Sequence, residues 1–262
     1  MKPIGIVSAL AAEARTLGPA ARHGAELREL ADGALLAVSG MGGGAAAAAA
    51  RRLVLAGATA LASFGMAGGL DPTLICGAVL LPEEVVPVDD VNSAAGATAT
   101  SPQWRQRLRA ALPASCIAWG GRLASSHRPI ARPTAKRDAW RRTGAAAVDM
   151  ESVAIAQVAG QAGLPFVALR VIVDTASDEL PAAVLAASGG GQVRVGRLLA
   201  GLLLAPGDLG ALIRLSARYR IASRALAAVA RPGSASRRAL IGGPEGARPR
   251  TGRVTGEAQD EP

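Results

Sequence analysis

The sequence is poor in aromatic residues, histidine and cysteine. Phe, Trp and Tyr make up only 2% of its 262 residues, so a core is expected to be built from Ala, Leu and Val. Nucleic-acid binding needs a basic stripe with stacking aromatics or a known motif, and neither is present. The net charge of +9 does not change this, because Arg far exceeds Lys, the bias of a GC-rich genome. The histidines are His23 and His127, and no cluster has metal-ligand spacing, so no metal is expected. Cys76 and Cys116 lie in apolar sequence and are expected to be buried, reduced thiols. No run reaches the ~18 apolar residues of a spanning helix. Met1-Lys2-Pro3 leads straight into a strand-like run with Glu13 close behind, unlike a signal peptide. A cytoplasmic location is therefore expected.

Half of the chain is apolar, enough for a sizeable core, and the length fits one large domain or one domain plus an appendage. Short apolar runs read as strands over 4–10, 34–39, 58–64, 78–82, 85–88, 117–124, 145–148 and 166–173. Helical stretches fall over 45–55, 103–112, 134–142, 152–162 and 192–204, and residues 93–100 read as a loop. Strands alternating with helices predict an α/β domain with a largely parallel sheet, whose ligands bind beyond the strands' carboxyl ends. The domain covers residues 1–205. Residues 206–230 form a basic amphipathic helical extension, with Leu209, Leu212, Leu215, Tyr219 and Leu226 near one side and Arg214, Arg218, Arg220 and Arg224 largely on another. Such a helix suits either packing on the domain or peripheral contact with an anionic membrane. From 231 to 262 the composition predicts a disordered tail.

Chemistry-bearing residues sit at the strand ends. Gly40-Met41-Gly42-Gly43-Gly44-Ala45 fits a dinucleotide-binding pattern, but follows the second strand, and the next strand ends in Ser63-Phe64-Gly65 without an acid to hold a ribose. A turn presenting backbone N–H groups to an anion or polar ligand fits better. Gly65-Met66-Ala67-Gly68-Gly69 is a second glycine-rich strand end, where a ligand can approach the backbone. Val148-Asp149-Met150-Glu151-Ser152 and Arg170-Val171-Ile172-Val173-Asp174 each place a carboxylate beside apolar sequence. A buried charge is costly unless paired, hydrogen-bonded or used.

Taken in order, Glu13, Gly40-Met41-Gly42, Ala67-Gly68-Gly69-Leu70, Asp149-Met150-Glu151 and Arg170 to Asp174 resemble the nucleoside phosphorylase and 5′-methylthioadenosine/S-adenosylhomocysteine nucleosidase superfamily over residues 1 to about 204. The resemblance implies a three-layer αβα fold with a largely parallel mixed central sheet. It implies N-glycosidic bond cleavage with Asp174 as general acid toward purine N7 and Glu13 orienting a water. Glu151 would hold the ribose hydroxyls and Met150 would lie against the sugar. Gly40, Gly42, Met66, Ala67 and Gly68 would form the loop for the nucleophile or an anion. His127, Arg128 and Arg170 are candidates for base or phosphate contacts. Met66 stands where nucleosidases commonly have Ser, and no Phe lies near 125–128 to stack on the base.

Asp149-Met150-Glu151-Ser152, Asp174-Thr175-Ala176 leading to Pro181, and the basic extension are similar to the hopanoid-associated phosphorylase branch. That implies adenosylhopane as substrate, adenine release to give ribosylhopane or phosphoribosylhopane, and peripheral contact at the inner face of the membrane. No cofactor is implied other than inorganic phosphate as co-substrate. Water and phosphate both stay open as nucleophile, with Arg122, Arg128 and Arg132 near enough in sequence to bind phosphate. A homo-oligomer is implied. The alternatives are an enzyme of the same fold acting on methylthioadenosine, S-adenosylhomocysteine or purine nucleosides, and a non-catalytic nucleotide-binding module.

Overall fold

A computed structural model describes residues 3–18, 27–89, 96–180 and 209–244. The helix expected over 192–204, His23 and the tail from 245 lie outside the described residues. Chain order begins with β1 (Gly5–Ser8), α1 (Ala11–Ala14), β2 (Arg28–Glu29), β3 (Leu35–Val38), α2 (Gly43–Leu55) and β4 (Leu61–Gly69). Then come β5 (Val79–Leu80), β6 (Glu84–Pro87), β7 (Thr98–Ala99), α3 (Pro102–Ala111), β8 (Ala118–Trp119) and β9 (Arg122–Ser125). The remaining elements are α4 (Pro133–Thr143), β10 (Ala145–Asp149), α5 (Ser152–Gln161), β11 (Phe166–Asp174), α6 (Leu209–Ala230) and α7 (Ala235–Ile241).

Among the described residues the strands form one mixed sheet of 11 strands in the order β2-β3-β1-β4-β10-β9-β6-β7, with β11 also on β4 and β5 linking β11 to β8. Parallel pairing dominates the middle: β4 lies between β1 and β11, parallel to both. The end of β4 then turns to pair antiparallel with β10 through Gly68 and Gly69. One strand thus joins the two halves of the sheet, and the acidic ends of β10 and β11 meet beside it.

Helices cover both faces. On one, α2 and α5 pack closely because their contact is made of small residues: a Cβ at Gly43 would stand 3.3 Å from the Ala154 methyl. Ala46, Ala49, Ala50, Leu53, Ile155 and Ala156 are buried there with the sheet's Val7, Leu61 and Ala168. On the other face, Trp104 and Leu108 of α3 join Ile6, Phe64 and Leu169. The fully buried Trp104 and Phe64 add two aromatic anchors to the expected aliphatic core.

Five local expectations need correction. The glycine-rich segment 65–69 is not a loop but the continuation of β4, held in register with β11 from Gly65↔Arg170 to Ala67↔Ile172. Residues 117–124 are not one strand, because Gly120 and the left-handed Gly121 (φ 91°) send β8 and β9 to different partners. The run from Arg231 is not structureless as far as 244: Ser234 caps α7 by accepting the Arg237 N–H, and Leu240 is buried. Within 93–100, Thr98 and Ala99 pair with β6. Cys76 and Cys116 are free and only half-buried.

The arginine-rich helix α6 packs against the domain. Ala222, Leu226, Val229 and Ala230 are buried with Ile4, Ile6, Ala14 and Leu17, leaving Ile213, Arg214, Arg220, Ile221 and Arg224 exposed. No helix among the described residues is long and apolar enough to cross a membrane.

Candidate active site

Each of the acids singled out in the sequence follows a buried strand, and the sheet brings those strand ends to one cavity of about 230 Å³. Glu13, Glu151, Met150, Met66, Ala67, Gly68, Asp174 and Arg128 all line it.

Glu13 occupies the first turn of α1, directly after β1. Its side chain turns back, as the acid of a capping box does: Oε2 accepts the Leu10 N–H (3.1 Å) and the Ser8 hydroxyl (3.2 Å). Oε1 accepts the Met66 N–H of β4 at 2.8 Å. Gly65 makes this approach feasible, since a Cβ there would stand 2.8 Å from both Glu13 oxygens and 2.6 Å from Arg170 Nη1. Burial pushes the Glu13 carboxyl above its ordinary range, against the pull of Arg170 and the three hydrogen bonds.

Asp149 and Glu151 lie at the end of β10 and the start of α5. Arg170, on β11, is fully buried beneath them and does not line the cavity. Its Nε and Nη2 reach Asp149 Oδ2 at 2.8 and 2.7 Å, and Nη2 also donates to Ser63 (2.6 Å) and Ser152 (3.1 Å). Burial works against the Arg170 charge, but Asp149, Glu151 and Glu13 together hold its pKa above the ordinary value. Asp149 also accepts hydrogen bonds from the Ser125 and Ser152 hydroxyls. It is therefore saturated inside the protein and serves as an anchor.

Glu151 is less committed. Oε1 accepts the Gly42 N–H (2.9 Å), and Oε2 accepts the Met150 N–H at 3.3 Å and stands 3.9 Å from Arg170. Burial and then Asp149 push its carboxyl up to about 7, opposed by Arg170 and the Gly42 N–H. Gly42 meets it with φ at 98°, a conformation that only glycine adopts freely.

Asp174 ends β11 and sits over Gly68, whose Cβ would lie 3.2 Å from Oδ2. Burial pushes this carboxyl above its usual range, and its ion pair with Lys136 opposes the shift.

The remaining candidates divide. The Gly40 N–H donates to Ala9 O (3.0 Å) and that of Gly42 to Glu151, so both are committed within the protein. His127 lines a neighbouring depression of about 510 Å³, which shares only Arg128, Pro129 and Ile130 with the acidic cavity. Arg132 faces that second depression, and Arg122 pairs with Glu84.

Tyr219 and Lys136 also line or support the cavity. Tyr219, of α6, lines it directly; its position in the extension gave no hint of this. Lys136, in the first turn of α4, is fully buried against Asp174. One clue was available: Lys2 and Lys136 are the only lysines in a chain rich in arginine.

The mixed α/β fold agrees with the family match. Residues 4–203 match the model of the Phosphorylase superfamily, and the chain belongs to it. Among curated proteins no sequence matches. The fold is similar to a 5′-methylthioadenosine/S-adenosylhomocysteine nucleosidase from Neisseria meningitidis solved with methylthio-immucillin-A (TM-score 0.60, 23% identity, 78% of this chain and 99% of that one). It is similar to the Helicobacter pylori nucleosidase solved with 5′-methylthioadenosine (0.61, 19%, 79% and 97%). Futalosine hydrolase from Helicobacter pylori is comparable (0.59, 19%, 78% and 95%).

Proposed function

We propose that this protein hydrolyses the N-glycosidic bond of an adenine nucleoside, with adenosylhopane as substrate and adenine and ribosylhopane as products. The observation that carries the reading is the convergence of Glu13, Glu151 and Asp174 on one cavity. A binding module has no need of three buried carboxylates with raised pKa values, whereas glycosidic cleavage uses an acid, a base and a group facing the cationic sugar.

The Asp174 carboxyl gives its proton to purine N7 while the glycosidic electron pair moves into the base. Glu151 accepts hydrogen bonds from ribose hydroxyls and faces the oxocarbenium-like charge. Glu13 takes a proton from the water that attacks the anomeric carbon. Water is favoured over phosphate by the placement of the arginines. Of Arg122, Arg128 and Arg132, only Arg128 lines the cavity, and Glu13 inside it repels an anion.

Apolar lining from Met41, Met66, Ile130, Val173, Leu180 and Tyr219 suits a nucleoside with a hydrocarbon 5′ substituent. The outer face of α6, where Ile213 and Ile221 stand among Arg214, Arg220 and Arg224, suits peripheral contact with an anionic bilayer.

The test is to incubate the purified full chain with adenosylhopane in mixed micelles, with and without phosphate. Adenine and ribosylhopane are expected at equal rates in both. Phosphoribosylhopane would replace water by phosphate, and faster release from methylthioadenosine would assign a soluble substrate. No adenine from either, by a folded protein, would refute the reading. Light scattering on the same sample tests the homo-oligomer that belongs with this reading; the mass of a single chain would remove it.

A further inference from the structure

Lys136 has no exposed surface. A buried ammonium is strongly disfavoured unless it is paired and fully hydrogen-bonded. Here each of its three donors has an acceptor: Asp174 Oδ2, the Thr175 carbonyl (2.7 Å) and the Asp178 carbonyl (2.9 Å). The two carbonyls belong to the turn that follows β11. That turn is closed further by Asp178 Oδ2, which accepts from the Thr175 N–H (2.8 Å) and hydroxyl (2.7 Å) and pairs with Arg218. Lys136 therefore clamps both the carboxylate and the backbone that carries it. Oδ2 is committed to the clamp. Among the described residues no side chain donates to Oδ1, and Asp174 lines the cavity.

We propose that Lys136 is a positioning residue for the cleavage reaction: it pins Oδ2 of Asp174, leaves Oδ1 as the proton-donating atom, and neutralises the carboxylate left behind. The inference rests on the general-acid reading of Asp174. In the step itself, the O–H bond at Oδ1 breaks, the N–H bond at purine N7 forms, and the glycosidic electron pair enters the purine. Lys136 keeps its three protons. The new negative charge appears beside an ammonium already in place, so no reorganisation is needed at the moment of transfer.

Without that ammonium, burial would hold Asp174 too firmly protonated to be an effective acid. The other charged and titratable groups around it are Arg218 of α6 with its partner Asp178, Cys76 beside β5, and Glu13, Asp149, Glu151, Arg128 and Tyr219 of the cavity lining. Arg218 is already paired with Asp178, which leaves Lys136 as the cation bonded to the reacting carboxyl.

The alternative is a purely structural clamp, and the two roles separate by charge. The Asp174 carboxyl can be followed by carbon-13 NMR of the aspartate-labelled full chain, assigned by comparison with Asp174→Asn. Lys136→Met and Lys136→Gln remove the charge, and Gln keeps hydrogen-bonding capacity; Lys136→Arg keeps the charge. The Asp174 midpoint should rise by about 1–3 pH units in the two neutral variants and stay near the wild-type value in Lys136→Arg. Adenine release should lose on the order of 10²-fold in kcat in the neutral variants, with little change in KM and partial recovery in Lys136→Arg. The high-pH limb of kcat, where the acid loses its proton, should move upward with the midpoint.

An unchanged midpoint in a folded neutral variant would overturn the proposal, whatever the activity. So would failure of both neutral variants to fold where Lys136→Arg folds, since that outcome makes the role structural. A shifted midpoint in a protein whose wild type releases no adenine would instead remove the cleavage reading while leaving the electrostatic coupling intact.

Discussion

Replacing Glu151 by Gln should remove a large part of the pH dependence of folding stability. The Glu151 carboxyl titrates at about 7 in the folded chain, against 4.5 for an unperturbed group. The folded state therefore binds this proton more tightly than the unfolded state. Stability from this source is fully present below about pH 4.5 and is lost as pH rises to about 7. A gap of about 2.5 pH units is worth on the order of 3 kcal/mol. Glu13 and Asp174 are also raised and act in the same direction, but both remain in the variant. The variant amide can still accept the Gly42 N–H through its oxygen. Its NH₂ group meets the Met150 N–H where Oε2 now accepts, a penalty that applies at every pH and cancels between two pH values. Urea unfolding at pH 5 and pH 8 gives the four free energies needed. Wild type should lose on the order of 3 kcal/mol more than Glu151→Gln across that interval. Parallel losses in the two proteins, or a wild type that gains stability toward pH 8, would refute the charge assignment. Adenine release should collapse in the same variant, because the neutral amide no longer faces the sugar with negative charge.

Gly65→Ala should be severe for a residue change of one methyl group, since the added carbon would crowd Arg170 and both oxygens of Glu13 at 2.6–2.8 Å. A destabilisation of about 3 kcal/mol with loss of adenine release is expected, and a wild-type melting temperature with wild-type turnover would contradict it. For membrane contact, Arg220→Ala together with Arg224→Ala should weaken co-sedimentation with phosphatidylglycerol vesicles. At about 1 kcal/mol for each arginine near an anionic surface, the loss is on the order of 30-fold. Equal vesicle binding by this variant and wild type would remove α6 from the bilayer.

What the sequence made legible was local. Glu13, Glu151 and Asp174 stand out because each follows an apolar run, and strand ends in an α/β fold are where ligands gather. The reading failed where burial depends on distant partners. Residues 65–69 read as a loop because four small residues around Met66 carry no strand pattern, yet β11 pairs with Gly65 to Gly68 and β10 with Gly68 and Gly69. Lys136 sits among Arg132, Arg137, Arg141 and Arg142 on a helix that looks solvated throughout; only the docking of α4 under the end of β11 makes it a partner for Asp174. Helix α6 shows its leucines and arginines plainly, but the face that seals the core is made largely of Ala222, Val229 and Ala230, residues with no distinctive pattern. These failures bear on function as well as fold. The carboxylates Glu13, Asp149, Glu151 and Asp174 gather around two buried cations, Arg170 and Lys136. Asp149 takes most of Arg170, so acid is in excess of base at the cavity. Burial raises the carboxyls of Glu13, Glu151 and Asp174 together, so protons are held there more firmly than by free carboxyls, and a proton kept beside a leaving purine is what the proposed reaction requires.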